Sequence, residues 1–254
     1  MKKISLLLCA LVAFNSCSIK EEYTLSKTGS VDYNYSVNGK DLVDFMGDET
    51  GFKDVLSEKK ELVAVMEKGM TIETFYSYLK NEKDLLKEKQ RFALDYFKEN
   101  QAVYNQIKQH TIKVDLKNLS YTTELKSTTK KISQESQQLN DFLFNLFNEI
   151  DSPFKTNYLA NSKTITNNSF EIKFNQAEYT KMIQSISKEF DAKMGENKIF
   201  KKMFSYQLII HTPNKIIESS ENGSFYSLDQ KTMKLNYTFD DIISAKNKSV
   251  KITF

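Results

Sequence analysis

Between Val31 and Val37 the chain alternates strictly, with Val31, Tyr33, Tyr35 and Val37 in one phase and Asp32, Asn34 and Ser36 in the other. Successive side chains of a strand point to opposite faces, so this pattern fits a strand with one buried and one wet face. The signal extends from Tyr23 to Asn38, where Asn38-Gly39 marks a turn. The same period returns with Ile112, Val114 and Leu116 and resumes out of phase with Leu119, Tyr121, Thr123 and Leu125. A tight turn or bulge is expected at the slip, Lys117-Asn118. Phe170, Ile172 and Phe174 make a further strand candidate. The last fifty residues add "SYQLIIHT", "NKIIES", "KTMKLNYTF" and "SVKITF", with Asn222-Gly223 as a turn and Met233, Leu235, Tyr237 and Phe239 expected inward.

Helical spacing fills the interval between these strands. Ile72, Phe75, Tyr76 and Leu79 follow a Thr71 N-cap candidate, and Phe92, Tyr96, Val103 and Ile107 continue an apolar stripe within Asp41–Gln109, with Gly69 as the expected break. The block Lys130–Asn148 carries Ile132, Leu139, Phe142, Leu143, Leu146 and Phe147 on one face. A further helix is expected through Tyr179, Met182, Ile183, Ile186 and Phe190, stopping at Gly195. No period of 20–50 residues repeats, which excludes a solenoid. Strands at both ends with helices between predict an α+β fold, an antiparallel or mixed sheet covered on one face by amphipathic helices.

The amino terminus is of a different kind. Lys2 and Lys3 precede "ISLLLCALVAF", an apolar run from Ile4 to Phe14, which has the layout of an export signal. The run is well short of the roughly 20 residues a membrane-crossing helix needs. Ser16-Cys17 follows, then the charged "SIKEE". An apolar run, a small residue and a cysteine in this order resemble the lipobox of bacterial lipoproteins, in the looser Ser-Cys form of the Bacteroidetes, with Phe14 where leucine is commonest. The resemblance implies cleavage before Cys17, diacylglycerol on its thiol and a further acyl group, commonly palmitate, on the new amino terminus. Each buried methylene contributes about 0.8 kcal/mol, so two or three chains anchor firmly where one does not. Lys20, Glu21 and Glu22 resemble the short lysine-plus-acidic signal that sends some of these lipoproteins to the outer-membrane surface. The expected organisation is a signal peptide at 1–16, a lipidated tether at 17–22 and a single α+β domain at 23–254, lipid-anchored to the outer membrane of the cell envelope.

Removing the first 16 of 254 residues leaves 238, enough for one large domain. The net charge of +3 falls to +1 once Lys2 and Lys3 are lost, so no field favours nucleic acid, and the membrane lipid is engaged through acylation instead. Hydrophobic residues at 40% and aromatics at 12%, with 18 Phe, 13 Tyr and no Trp, supply a core and exclude bulk disorder. Of the two cysteines, Cys9 leaves with the signal, so the mature chain has no internal disulfide.

Residues that could carry chemistry are sparse. His110 and His211 stand alone, without the nearby His or Cys a metal site needs, and no G-x-S-x-G or phosphate-cradling glycine motif occurs. Asp41, Asp44, Asp48, Glu49 and Asp54 do not match a calcium loop. Asp240 and Asp241 read as a cap before Ile242. No cofactor, metal or catalytic residue is therefore assigned. The segment "HTPNKIIESSENGSFYSLDQKTMKLNYTF" is loosely similar to the closing β-unit of LppM-type lipoproteins, which bears on fold alone. The expectation is a binding or interaction module with an apolar or glycan ligand among its aromatic side chains and an undefined protein partner. The alternative is an envelope hydrolase with a dispersed carboxylate site. A structural part of an envelope complex would instead show an exposed apolar patch.

Overall fold

A computed structural model describes residues 18–38, 67–81, 95, 97–115, 120–127, 161–177, 179–180, 205–221, 224–244 and 248–254. Strands β1 (Ser18–Leu25) and β2 (Val31–Asn38) pair antiparallel, with Tyr23 opposite Tyr33 and Glu21 opposite Tyr35. One strand was expected between Tyr23 and Asn38; there are two. The chain reverses through Ser26–Ser30, where Gly29 takes φ 86° and the Ser26 hydroxyl accepts from the Ser30 amide at 2.9 Å. That left-handed backbone is open to glycine at little cost.

The larger sheet is mixed and eight-stranded. It adds β3 (Met70–Thr71), β4 (Thr111–Asp115), β5 (Ser120–Ser127), β8 (Ser205–His211), β10 (Phe225–Tyr226) and β11 (Thr232–Thr238), in the order β10-β11-β8-β1-β2-β5-β4-β3. Strand β1 runs parallel to β8 from Ser18↔Ser205 to Thr24↔His211, so both begin at the same end of the sheet. The second sheet has the order β6-β7-β12-β9, from β6 (Ser162–Ile165), β7 (Ser169–Lys173), β9 (Glu218–Ser219) and β12 (Ser249–Thr253).

The two sheets face each other. Ile19, Tyr23, Tyr33, Tyr35, Tyr206, Leu208, Ile210, Met233 and Leu235 project from the first, and Phe170, Ile172, Val250 and Ile252 from the second, all buried. Ring contacts cross the interface: Tyr23 to Phe170 at 4.8 Å, and Phe174 to Tyr206 at 5.2 Å and to Tyr237 at 5.6 Å. Aromatic pairs at these separations add stability beyond the apolar area they bury. Where amphipathic helices were expected, a four-stranded sheet therefore meets this part of the face. The fold is α+β with a mixed sheet.

The described helices are α1 (Ile72–Asn81), α2 (Gln101–Ile107) and α3 (Phe239–Ser244). Thr71 caps α1 as expected, its hydroxyl accepting from the Thr74 amide at 3.1 Å. Tyr76, Phe97 and Tyr104 meet pairwise at 5.1 Å, and Phe97, Met70, Ile72 and Ile107 are buried. Helix α3 differs from expectation, because Phe239 starts a helix rather than closing a strand. Asp241 accepts from the Thr238 amide and hydroxyl, both at 2.7 Å, while Thr238 accepts from the Asp241 amide, a reciprocal cap that stops β11. The expected helix Lys130–Asn148, the turns at Asn38-Gly39, Lys117-Asn118 and Asn222-Gly223, the Gly195 stop and the Asp41–Asp54 group lie outside the described residues.

Among the described residues a buried ion pair joins the two sheets. Lys163 Nζ of β6 lies 3.2 Å from Glu21 Oε2 of β1, with side-chain exposures of 1% and 0%. Removing one partner from such a pair strands a buried charge, at a cost of about 3–5 kcal/mol, whereas an apolar pair of similar volume is often neutral or better. Urea denaturation is expected to show a loss of that order for Glu21→Gln or Lys163→Met alone. The double variant Glu21→Leu with Lys163→Met should recover most of it. Additive losses would mean the two side chains act independently.

Candidate functional site

Strand β1 divides the three residues read as an export signal between two environments. Alternation turns Lys20 and Glu22 to the outer face and Glu21 inward, 0% exposed. In the folded chain Glu21 is thus not offered to a receptor. Residues 18–22, expected as a tether, form the first half of a strand hydrogen-bonded on both sides. Cys17 and the signal segment 1–16 lie outside the described residues.

The inward cluster is built from tyrosines around one carboxylate. Tyr23 donates to Glu21 Oε2. The hydroxyls of Tyr33 and Tyr206 come within its electrostatic reach at geometries short of a hydrogen bond, and burial first, then the Glu21 charge, pushes all three phenols up. Lys163 Nζ sits 4.9 Å from the Tyr33 ring centroid and 5.8 Å from that of Tyr23, so two π faces share in solvating the ammonium. On its flank Asn161 donates to the Tyr179 hydroxyl at 3.1 Å and accepts from the Asn175 amide at 3.0 Å. Every tyrosine named here is buried. The aromatic face read as a ligand platform is, over these residues, core.

On the outer face His211 lies between a carboxylate and a hydroxyl. Its Nε2 is 2.9 Å from Glu22 Oε1 and its Nδ1 2.9 Å from Thr232 Oγ1, while Lys20 pairs with Glu22 Oε2 at 2.7 Å. Burial raises the Glu22 pKa, and the hydrogen bonds and charges of Lys20 and His211 outweigh it to hold the carboxyl below its ordinary value. A hydroxyl, an imidazole and a carboxylate in line resemble a nucleophile relay in composition. These three project from ladder-paired positions of β1, β8 and β11, whose amides are engaged in the sheet, so the strands offer no oxyanion hole.

His110, expected at the surface or a strand end, is buried at the start of β4, and its Nε2 finds no partner among the described residues. Burial pushes its pKa down to about 4, so the folded chain holds a neutral imidazole.

The feature that sequence reasoning missed is apolar and outside. Ile217 is 80% exposed, Phe225 68% and Tyr226 45%, and Leu228 is fully exposed. The Ile216 amide donates to Gln230 O at 2.9 Å, which places Ile217 beside the turn bearing Leu228. That turn is fixed by Asp229, which accepts from the Ser227 hydroxyl and the Lys231 amide, and by Gln230 at φ 58°. The signal was present as large apolar residues inside the polar run "SFYSLDQK", in neither strand nor helix period.

Among the described residues no group of three His, Cys, Asp or Glu could hold a metal, and no helix is long and apolar enough to cross a membrane. No protein-family model, curated protein or solved structure matches the chain.

His110 carries a pH signature. Its folded-state pKa lies below the unfolded value, so its contribution is complete above about pH 6.5 and is lost as pH falls toward 4. The loss across that window is expected to reach about 3 kcal/mol. His110→Leu should flatten the profile in melts between pH 7 and 4; an unchanged slope would assign the acid sensitivity elsewhere.

Proposed function

We propose that the chain is a lipoprotein of the cell envelope, anchored by acyl chains on Cys17, whose folded part docks on another protein as a structural part of an envelope complex, the reading that exposed apolar side chains favour over a module with a ligand among its aromatics. The apolar cluster of Ile217, Phe225, Tyr226 and Leu228 carries the second half. Large apolar side chains left exposed near strand β10 and the turn that follows it are a standing hydration cost, and such surfaces are often ones that another molecule covers. The partner they fit is an apolar protein surface of the envelope rather than a glycan, because the side chains are apolar and the Asp229 carboxylate beside them is engaged within its own turn. The anchor is supported by the signal layout and by the lipobox ending in Ser16-Cys17. Outer-membrane placement follows from the same resemblance. Surface export would rest on Lys20 and Glu22, since Glu21 is committed to the core.

Register carries the row Tyr35, Thr123, Ile112 and Met70 along one face of the large sheet. We propose that amphipathic helices cover part of one face of the large sheet, beyond β2. A hydrolytic reading draws on one observation, the His211 contacts with Thr232 and Glu22.

Cys17→Ala is expected to release the protein from the membrane fraction and abolish labelling by a palmitate analogue. Labelling that persists in this variant would remove the anchor. For the cluster, Phe225→Ser with Leu228→Ser should leave the melting temperature within a few degrees, both being surface changes. It should also abolish the protein crosslinks that a photoreactive residue at position 226 forms in intact cells. Crosslinks of unchanged yield would sink the interaction surface.

A further inference from the structure

The anchor and the first strand are adjacent in sequence, and that adjacency sets an orientation. It rests on the lipoprotein reading of Cys17. Strand β1 is paired from its first residue, Ser18, which faces Asn38 of β2 on one side and Ser205 of β8 on the other. The Ser205 hydroxyl donates to that of Ser18 at 3.1 Å. Successive Cα atoms are about 3.8 Å apart, so the acylated residue cannot stand farther than one such step from the sheet end. Lipoproteins held by a flexible tether tumble above the headgroups; here no length is left for a tether.

Four strands show which end that is. Ser18, Asn38, Ser205 and Thr238 share it, because β1 and β8 start there and β2 and β11 finish there. Asp240 and Asp241, both exposed, follow Thr238 after one residue, Phe239. The hydroxyl, amide and carboxylate groups of these described residues suit contact with a hydrated headgroup layer. At the other end of β1 lie Leu25, the Ser26–Ser30 turn and, in register through His211 and Thr232, the turn carrying Leu228. Seven residue steps separate Ser18 from Leu25, about 23 Å along the strand at roughly 3.3 Å each.

We propose that the domain stands end-on upon the bilayer, with the Ser18–Asn38–Ser205–Thr238 end against the lipid headgroups and the Ile217–Leu228 cluster pointed away from the membrane toward a partner. A two- or three-chain anchor joined without a spacer fixes this attitude by covalent geometry. Charge plays little part, since the mature chain carries only +1.

The test uses the full lipidated chain in phosphatidylethanolamine–phosphatidylglycerol vesicles. Ser205→Cys and Leu228→Cys, made singly, are each labelled with a fluorophore and quenched by nitroxide-headgroup lipid. The Ser205 site is expected to be quenched several-fold more than the Leu228 site. Inserting ten Gly and Ser residues between Cys17 and Ser18 should bring the two to parity. Equal quenching without the insert, or a difference that survives it, overturns the proposal. The intact mass of the same samples separates the two levels: a lipid adduct with equal quenching removes the orientation alone, and a bare polypeptide mass removes the anchor with it.

Discussion

A single buried ion pair sets much of the arrangement of the two sheets. Glu21 and Lys163 come from strands more than 140 positions apart and meet at 3.2 Å with almost no exposure. Taking both charges out of water costs several kcal/mol each, and the Coulomb attraction regained in the interior does little more than offset that. What the pair supplies is discrimination between alternatives. A one-residue slip of β1 would turn Lys20 and Glu22 inward against Phe170 and Ile172, and would send Ile19, Tyr23 and Leu25 to water. With Lys163 on β6, the observed register gives Glu21 its partner while Lys20 and Glu22 stay on the outer face and Ile19, Tyr23 and Leu25 stay in the core. The tyrosine hydroxyls around Glu21 grade the transition from charge to hydrocarbon, which a core of leucine could not do.

Because β1 lies between β2 and β8, its burial joins the two ends of the chain. The hairpin with β2 is local, whereas the parallel pairing with β8 closes over residues 26 to 204. Parallel neighbours cannot be joined by a tight turn, so this strand is completed only once the carboxy-terminal third is present. Contacts of such separation are entropically slow to form.

The same strand links the two halves of the functional proposal. One end of β1 adjoins the residue that would carry lipid, and the register through β8 and β11 leads from its other end to the turn bearing Leu228. An apolar cluster beside the anchor could be covered by the membrane itself. Held at the opposite end, it needs another surface to cover it. The outer-face array of Lys20, Glu22, His211 and Thr232 lies between the two as a solvated polar ladder.

What the residues alone determined is local. Alternation fixed β2, β4, β5, β7 and β11, and the Thr71 cap and the Asp241 cap were visible as spacings, since each depends on neighbours a few positions away. Strand β1 was hidden because "IKEE" looks like solvated charge, and β6 because Lys163 breaks its apolar phase; both charges are tolerable only in each other's presence. The covering of one face by a sheet, the burial of the tyrosines as core and the exposure of Phe225 and Leu228 were decided by tertiary packing. Period says which residues share a face. Whether that face meets a helix, another sheet or nothing depends on segments a hundred residues away, and only the folded chain brings those together.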